Sequence, residues 1–253
     1  MKGKFVEWKY KSNPKWLDAR KKVLTATDFE SLKSSLSRAS KAALRGDVML
    51  PAFVSVWMQK HGDSPDEADL YSYGPAARGH ILEPYAVELF SNYMKEEFHH
   101  WDDVVVAGDS CGFSPDAVLG VECPKEAGAF PADEFEAEEI LEVKCYGLEN
   151  HGKALVSSSS ALKERFQLAW AMYCCPSIKT GTLLFYNPSA PIPMFYLEYR
   201  REELEEEIDL AKKVDEIYRR TCTWCESAAW NALGRYVQAN QKDEITIWAE
   251  AMK

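Results

Sequence analysis

The stretch from Phe113 to Cys145 constrains this chain more than any other. It opens with Phe113-Ser114-Pro115-Asp116 and an apolar run, Ala117-Val118-Leu119-Gly120-Val121. It closes with Glu139-Ile140-Leu141-Glu142-Val143-Lys144-Cys145. Both ends read as β-strands. Side chains alternate along a strand, so Ile140, Glu142 and Lys144 share one face and Leu141, Val143 and Cys145 the other. Pairing of the two strands brings Asp116 towards Glu142, which gathers two carboxylates and an ammonium around one pocket. Carboxylates that close repel, and a shared proton or a bound cation relieves the repulsion. Hard oxygen donors select Mg²⁺ or Mn²⁺, ions that take one or two carboxylates and leave their other positions to water and phosphate. Lys144 then orients a water or neutralises developing charge, and the set as a whole suits phosphodiester hydrolysis.

Other segments supply candidate partners for that pocket. Ser12-Asn13-Pro14 predicts a helix start, with the helix carrying Trp16, Leu17 and Arg20 and ending near Val23. Thr25-Ala26-Thr27-Asp28 predicts a second cap, and the N–H groups at a helix N-terminus seat phosphate. Residues 77–90 predict a helix on which Ile81, Tyr85, Leu89 and Tyr93 face the core, Glu83 lies off that stripe, and Pro84 perturbs the helix locally. Trp101 to Ala107 predicts the first strand of the central sheet. The acidic segment from Cys123 to Glu139 predicts a solvated hairpin extension. Tyr146 to Ser160 is polar and predicts a mobile loop, after which Leu162, Phe166, Ala169, Trp170 and Tyr173 form an apolar helix face with Gln167 beside it. Gly181–Asn187 and Ile192–Tyr199 predict a strand pair, and the chain from Arg200 a long amphipathic helix with glutamates leading and lysines following. Between Leu32 and Tyr73 lie a serine-rich basic stretch that includes Lys33, Arg38, Lys41 and Arg45, a short core helix with Val54, Val56, Trp57 and Met58, and a turn from His61 to Asp66.

Pro115-Asp116 followed by Glu142-Val143-Lys144 resembles the PD-(D/E)XK nuclease motif. The order of further matches resembles the lambda-exonuclease (YqaJ-like) family of viral recombination nucleases. In that family a Trp-x-x-x-Arg followed by Thr-Ala-Ser serves a DNA 5′-phosphate; Trp16, Arg20 and Thr25-Ala26-Thr27 match it, with Thr27 replacing serine and keeping the hydroxyl. Gly79 to Glu83 keeps the family's Gly-x-x-x-Glu spacing, and Gln167 matches a glutamine on the helix after the E-x-K strand. Family members place glycine after the aspartate, whereas this chain has Ala117. The resemblance implies an α/β fold with a restriction-endonuclease-like core, a central mixed β-sheet flanked by helices. It implies one nuclease domain over residues 1–253, with an N-terminal helical part over about 1–75 and a C-terminal helix over about 200–240. It further implies that Asp116, Glu142 and the Val143 backbone carbonyl hold Mg²⁺, with Mn²⁺ able to substitute. Lys144 positions the attacking water, Glu83 and Gln167 assist through metal-bound waters, and Arg20 and Thr27 bind the 5′-phosphate. The implied activity is 5′-to-3′ digestion of double-stranded DNA ends that leaves 3′ single-stranded tails for recombination. A ring-shaped homotrimer and a single-strand annealing protein as partner are implied with it. A structure-specific or restriction-type endonuclease would use the same core, and an inactive DNA-end-binding module would keep Arg20 and Thr27.

Composition sets the remaining limits. At 253 residues and 46% hydrophobic the chain can bury a sizeable core, and no apolar run is long enough to span a bilayer. Met1 to Lys9 lacks the apolar centre of a signal peptide, and seven cysteines without a secretion signal predict reduced thiols in a cytoplasm. Cys174, Cys175, Cys222 and Cys225 could close an iron–sulphur cluster or be buried free thiols. A net charge of −10 argues against a general nucleic-acid coat while leaving room for a locally basic channel. No phosphate-binding glycine loop is present, which argues against an ATP-driven step.

Overall fold

In the computed structural model the described residues are 14–39, 44, 50–61, 74–124, 128–159 and 162–227. The Ser12-Asn13 cap, Lys41, Arg45, the turn beyond His61 and the chain after residue 227 lie outside them. Among the described residues, helices α1 (Pro14–Lys22), α2 (Ala26–Leu36), α3 (Pro51–His61) and α4 (Gly74–Met94) precede the first strand. Strands β1 (Phe98–His100), β2 (Val104–Ala107), β3 (Cys111–Phe113), β4 (Ala117–Leu119), β5 (Ala129–Pro131) and β6 (Glu139–Lys144) follow. Helices α5 (Leu148–Val156) and α6 (Arg165–Cys174), strands β7 (Thr180–Tyr186) and β8 (Met194–Arg200), and helix α7 (Glu205–Cys225) complete the order.

The central sheet is mixed, with strand order β1-β4-β6-β7-β8; β6 and β7 are parallel and their neighbours antiparallel. Parallel neighbours are buried on both faces, and β6 follows that rule through two separate apolar clusters. Ile140 joins the larger core with Leu168 and Trp170 of α6, while Leu141 and Val143 join a smaller core with Ala86, Val87 and Phe90 of α4. Helices α4 and α6 therefore cover opposite faces of β6. The larger core also takes in Phe29, Leu32 and Leu36 of α2 and Phe53 and Val56 of α3, so the N-terminal helices and the sheet share one interior.

Several expectations need correction. The run from Phe113 to Val121 is two strands: β3 belongs to a small second sheet of order β3-β2-β5, and β4 to the central sheet. Pro115 lacks an N–H for a ladder, and the chain crosses from one sheet to the other at Ser114–Asp116. The segment from Trp101 to Ala107 is not the first central strand; Val104–Ala107 forms β2 of the small sheet, and Phe98–His100 is the edge of the central one. The acidic segment is not a solvated hairpin. Its Ala129–Pro131 pairs parallel with β2, and Phe135 and Ala137 are buried, with the Phe135 ring edge-on to Trp101 and Phe113. The polar segment after Tyr146 contains helix α5, which buries His151 and Ala154.

The apolar stripe predicted on α4 faces outward. Ile81 is 66% exposed, Tyr85 50%, Leu89 43% and Tyr93 62%, and the buried side is Glu83, Ala86, Val87 and Phe90. Phe90 decides the rotation, because its ring packs at 5.3 Å from Phe98 and 5.2 Å from Tyr196. The helix runs through Pro84 without interruption. On α3, Met58 is exposed, and Phe53 and Val56 supply the core contacts.

Candidate active site

The register of β4 on β6 pairs Ala117 with Leu141, and the Asp116 N–H donates to the Leu141 carbonyl at 3.1 Å. One step further along this antiparallel pair, Asp116 stands opposite Glu142. The Asp116 carboxylate accepts the Val143 backbone N–H at 2.8 Å, which fixes the end of β4 on β6. Lys144 Nζ donates to Glu142 Oε1 at 2.6 Å, and both side chains are 16% exposed. Burial pulls the Lys144 ammonium towards neutrality, but the Glu142 and Asp116 carboxylates outweigh it and hold the group above its ordinary value. Lys144 is therefore a cation and a donor. Burial first, and then the Glu83 and Asp116 carboxylates, push the neighbouring Cys145 thiol up to about 12.

Asp116, Glu142, Val143 and Lys144 line one cleft of about 250 Å³. Glu83 enters it from α4 and Gln167 from α6, on opposite faces of β6, and Glu83 is buried to 6% exposure. The Gln167 amide oxygen is buried and has no hydrogen-bond partner among the described residues. Arg20 and Thr27 line the same cleft with Trp16. Arg20 Nη2 donates to Thr27 Oγ1 at 3.4 Å, and its guanidinium lies 5.0 Å from the Trp16 ring centre. Trp16 is in turn tied to the sheet, its indole N–H donating to Ser114 Oγ at 3.2 Å and the Ser114 hydroxyl donating to the Asp103 carbonyl at 3.0 Å. Thr25 caps α2 in a reciprocal box with Asp28, which is why the Ala26 and Thr27 backbone faces the cleft as a helix N-terminus.

The fold thus brings Arg20, Thr27, Glu83, Asp116, Glu142, Val143, Lys144 and Gln167 to one place from widely separated segments. Two neighbours were not legible beforehand. His100, at the end of β1, has its Nε2 3.8 Å from Glu83 Oε1, a proximity created by the pairing of His100 with Ala117. Tyr146 donates its hydroxyl to Glu164 and so links the end of β6 to the start of α6; burial, then that bond, raises its phenol.

The donor set can be tested against a divalent ion. Among the described residues no three His, Cys, Asp or Glu side chains stand close enough to hold one ion together. Two carboxylates and a backbone carbonyl suffice for Mg²⁺, which keeps water and substrate phosphate in its other positions. Lining oxygens from Asp116, Glu142, Glu83 and Gln167, with no thiolate among them, fit a small hard cation. The four cysteines considered for a cluster do not converge either: the Cys175 thiol donates to the Ala132 carbonyl at 3.4 Å, and Cys222 and Cys225 lie on α7.

The sequence profile of the YqaJ-like viral recombinase domain matches residues 15–181, from α1 to the start of β7. The chain belongs to that family. Among solved structures, this YqaJ-like chain is similar to an alkaline exonuclease from Laribacter hongkongensis, at 16% identity and a TM-score of 0.59. That likeness covers 86% of this chain and 96% of the other. The same exonuclease in complex with dAMP matches at 17% identity and a TM-score of 0.55, over 85% and 97% of the two chains. No curated protein sequence matches significantly. At these identities the structures speak for the fold, which is the mixed α/β architecture described above. No helix among the described residues is long and apolar enough to cross a membrane.

Proposed function

We propose that this YqaJ-like chain is a Mg²⁺-dependent deoxyribonuclease that digests duplex ends 5′ to 3′ and leaves 3′ single-stranded tails for recombination. One observation carries the reading: a carboxylate pair with a lysine lines a single cleft together with a helix N-terminus, an arginine and a threonine hydroxyl. The first group suits the scissile phosphate and the second a terminal phosphate. The alkaline exonuclease of like fold, solved with a mononucleotide, agrees with an enzyme that releases single nucleotides.

Asp116, Glu142 and the Val143 carbonyl would hold Mg²⁺, with Mn²⁺ able to replace it. Such an ion, when bound, polarises phosphoryl oxygen and acidifies water. Lys144, charged throughout the working pH range, donates to the attacking water and so orients it towards phosphorus. Attack forms a new P–O bond and breaks the bond to the leaving 3′ oxygen, which takes up a proton. Glu83 and Gln167 present oxygens to the waters around the reacting phosphate. Arg20 and Thr27 hold the 5′-phosphate, which sets both the strand and the step length. Over its full length the chain acts as one nuclease domain. The outward stripe of Ile81, Tyr85, Leu89 and Tyr93 suits a protein interface, and the assembly proposed is a homotrimer. A single-strand annealing protein would receive the 3′ tail, in a cytoplasmic setting.

The test is digestion of linear duplex DNA bearing one 5′-phosphorylated end, beside covalently closed circles, in Mg²⁺ and in EDTA, with wild type and Asp116→Asn. Mg²⁺-dependent loss of the phosphorylated strand alone, abolished by Asp116→Asn, is the expected result. Nicked or linearised circles would establish an endonuclease. End binding without cleavage in any divalent metal would establish an inactive module.

A further inference from the structure

Lys60, a cation that bonds directly to residues of the proposed phosphate seat, belongs to α3, a helix with no described residue in the lining of the cleft. Lys60 Nζ lies 2.8 Å from Asp28 Oδ2 and donates to the Arg20 backbone carbonyl at 3.3 Å. Its side chain is only 11% exposed and that of Asp28 16%. Asp28 Oδ2 also accepts the Thr25 backbone N–H and the Thr25 hydroxyl, each at 2.8 Å. One ammonium therefore joins the last turn of α1, the first turn of α2 and the end of α3.

That junction bears on Arg20 and Thr27, the two residues of the proposed phosphate seat. Arg20 is held by Lys60 through its carbonyl and reaches Thr27 through its guanidinium. Thr27 sits next to Asp28, so the Asp28 carboxylate is a fixed negative charge beside the position of any bound anion. A carboxylate in the first turn suits an isolated helix but repels a phosphate seated on the same N–H groups. Lys60, which is not among the residues lining the cleft, offsets that charge.

We infer that Lys60 is a positioning residue for 5′-phosphate recognition. It holds Arg20 and Thr27 at one spacing and cancels the Asp28 charge next to the seat. The inference rests on the reading of Arg20 and Thr27 as the phosphate ligands. It adds a residue that touches no substrate and lies in a stretch whose sequence suggests only a short core helix and a turn.

The experiment uses the full chain and steady-state cleavage of duplexes with 5′-phosphorylated or 5′-hydroxyl ends, in Mg²⁺, for wild type, Lys60→Met, Lys60→Arg and Arg20→Gln. The readout is the ratio of kcat/KM between the two ends within one preparation, so an inactive or unfolded fraction cancels. Lys60→Met is expected to lower that ratio about tenfold, the scale of losing a charged hydrogen bond, and to do so through KM for the phosphorylated end. Lys60→Arg, which keeps charge and donors, should restore most of it. If Lys60→Met fails to accumulate, Lys60→Gln makes the same measurement. A wild-type ratio retained by Lys60→Met but lost in Arg20→Gln overturns the role of Lys60 alone, and so does an equal loss on both ends. A wild type without preference between the ends overturns the phosphate seat itself, and the role of Lys60 with it.

Discussion

Replacing Lys144 by methionine keeps the length of the side chain and removes its charge from between two carboxylates. At the observed 2.6 Å separation from Glu142 the direct attraction is about 6 kcal/mol at an effective dielectric of about 20. Desolvation of two side chains that are each only 16% exposed offsets most of this, leaving about 2 kcal/mol net. In EDTA, Lys144→Met should therefore melt about 4–8 °C below wild type, the shift expected of 2 kcal/mol in a chain of this size. Mg²⁺ supplies positive charge to the same carboxylates, so the gap should narrow when the metal is added. Cleavage should fall about a thousandfold in Mg²⁺, the scale of removing one charged donor from the reacting centre. Thermal melts in EDTA and Mg²⁺, beside rates on linear duplex, measure both effects. A variant that melts with wild type in EDTA, or cleaves within about tenfold of it, would refute the assignment of Lys144.

Gln167→Leu removes a buried amide oxygen that has no partner among the described residues, so urea melts in EDTA should show a gain of about 1 kcal/mol while cleavage drops about 10- to 100-fold. A loss of stability would contradict that account of Gln167. Gly112→Ala places a Cβ 2.9 Å from both the Val105 carbonyl oxygen and Val23 Cγ2, and should lower the urea midpoint by the equivalent of about 2 kcal/mol; an unchanged midpoint would show that β3 can shift. The Tyr173 hydroxyl donates to Asp215 at 2.6 Å, and burial, followed by that bond, raises its phenol above the ordinary 10.0. A raised group contributes fully below its unfolded value and loses its contribution as pH climbs through the folded one. Tyr173→Phe should thus cost about 1 kcal/mol at pH 8 and less above pH 10 by denaturant titration, and a cost that grows with pH would be the wrong sign.

The alternation on β6 was legible because a two-residue period needs no knowledge of neighbours. Glu142 and Lys144 fall together whichever strands flank them. The face of α4 was not legible, because two apolar stripes compete on it. Ile81, Tyr85, Leu89 and Tyr93 are the larger set, yet the narrow space beside β6 accepts Ala86, Val87 and Phe90. Size and spacing name apolar residues, and only the partner surface chooses between them. The segment from Cys123 to Glu139 misled for a related reason: its many carboxylates hide Phe130 and Phe135, whose packing depends on Trp101, just after β1, and Phe113 of β3. Membership of the small sheet was equally invisible, since β2 pairs with β5 in parallel through a long connection.

The charge balance of the cleft explains how a chain of net charge −10 could handle DNA at all. Its charged lining residues are Glu83, Asp116 and Glu142 against Arg20 and Lys144. Lys144 is already engaged by Glu142, and Arg20 by Thr27 and the Trp16 ring. On the proposed reading the carboxylate group is thus anionic on its own and repels phosphate, whereas the seat at Arg20 is cationic. A dication on the carboxylates would reverse the sign there and leave the Arg20 seat unchanged. End recognition should therefore survive in EDTA while engagement of the scissile phosphate does not, and the net charge of the chain matters less than which of two walls a phosphate meets first.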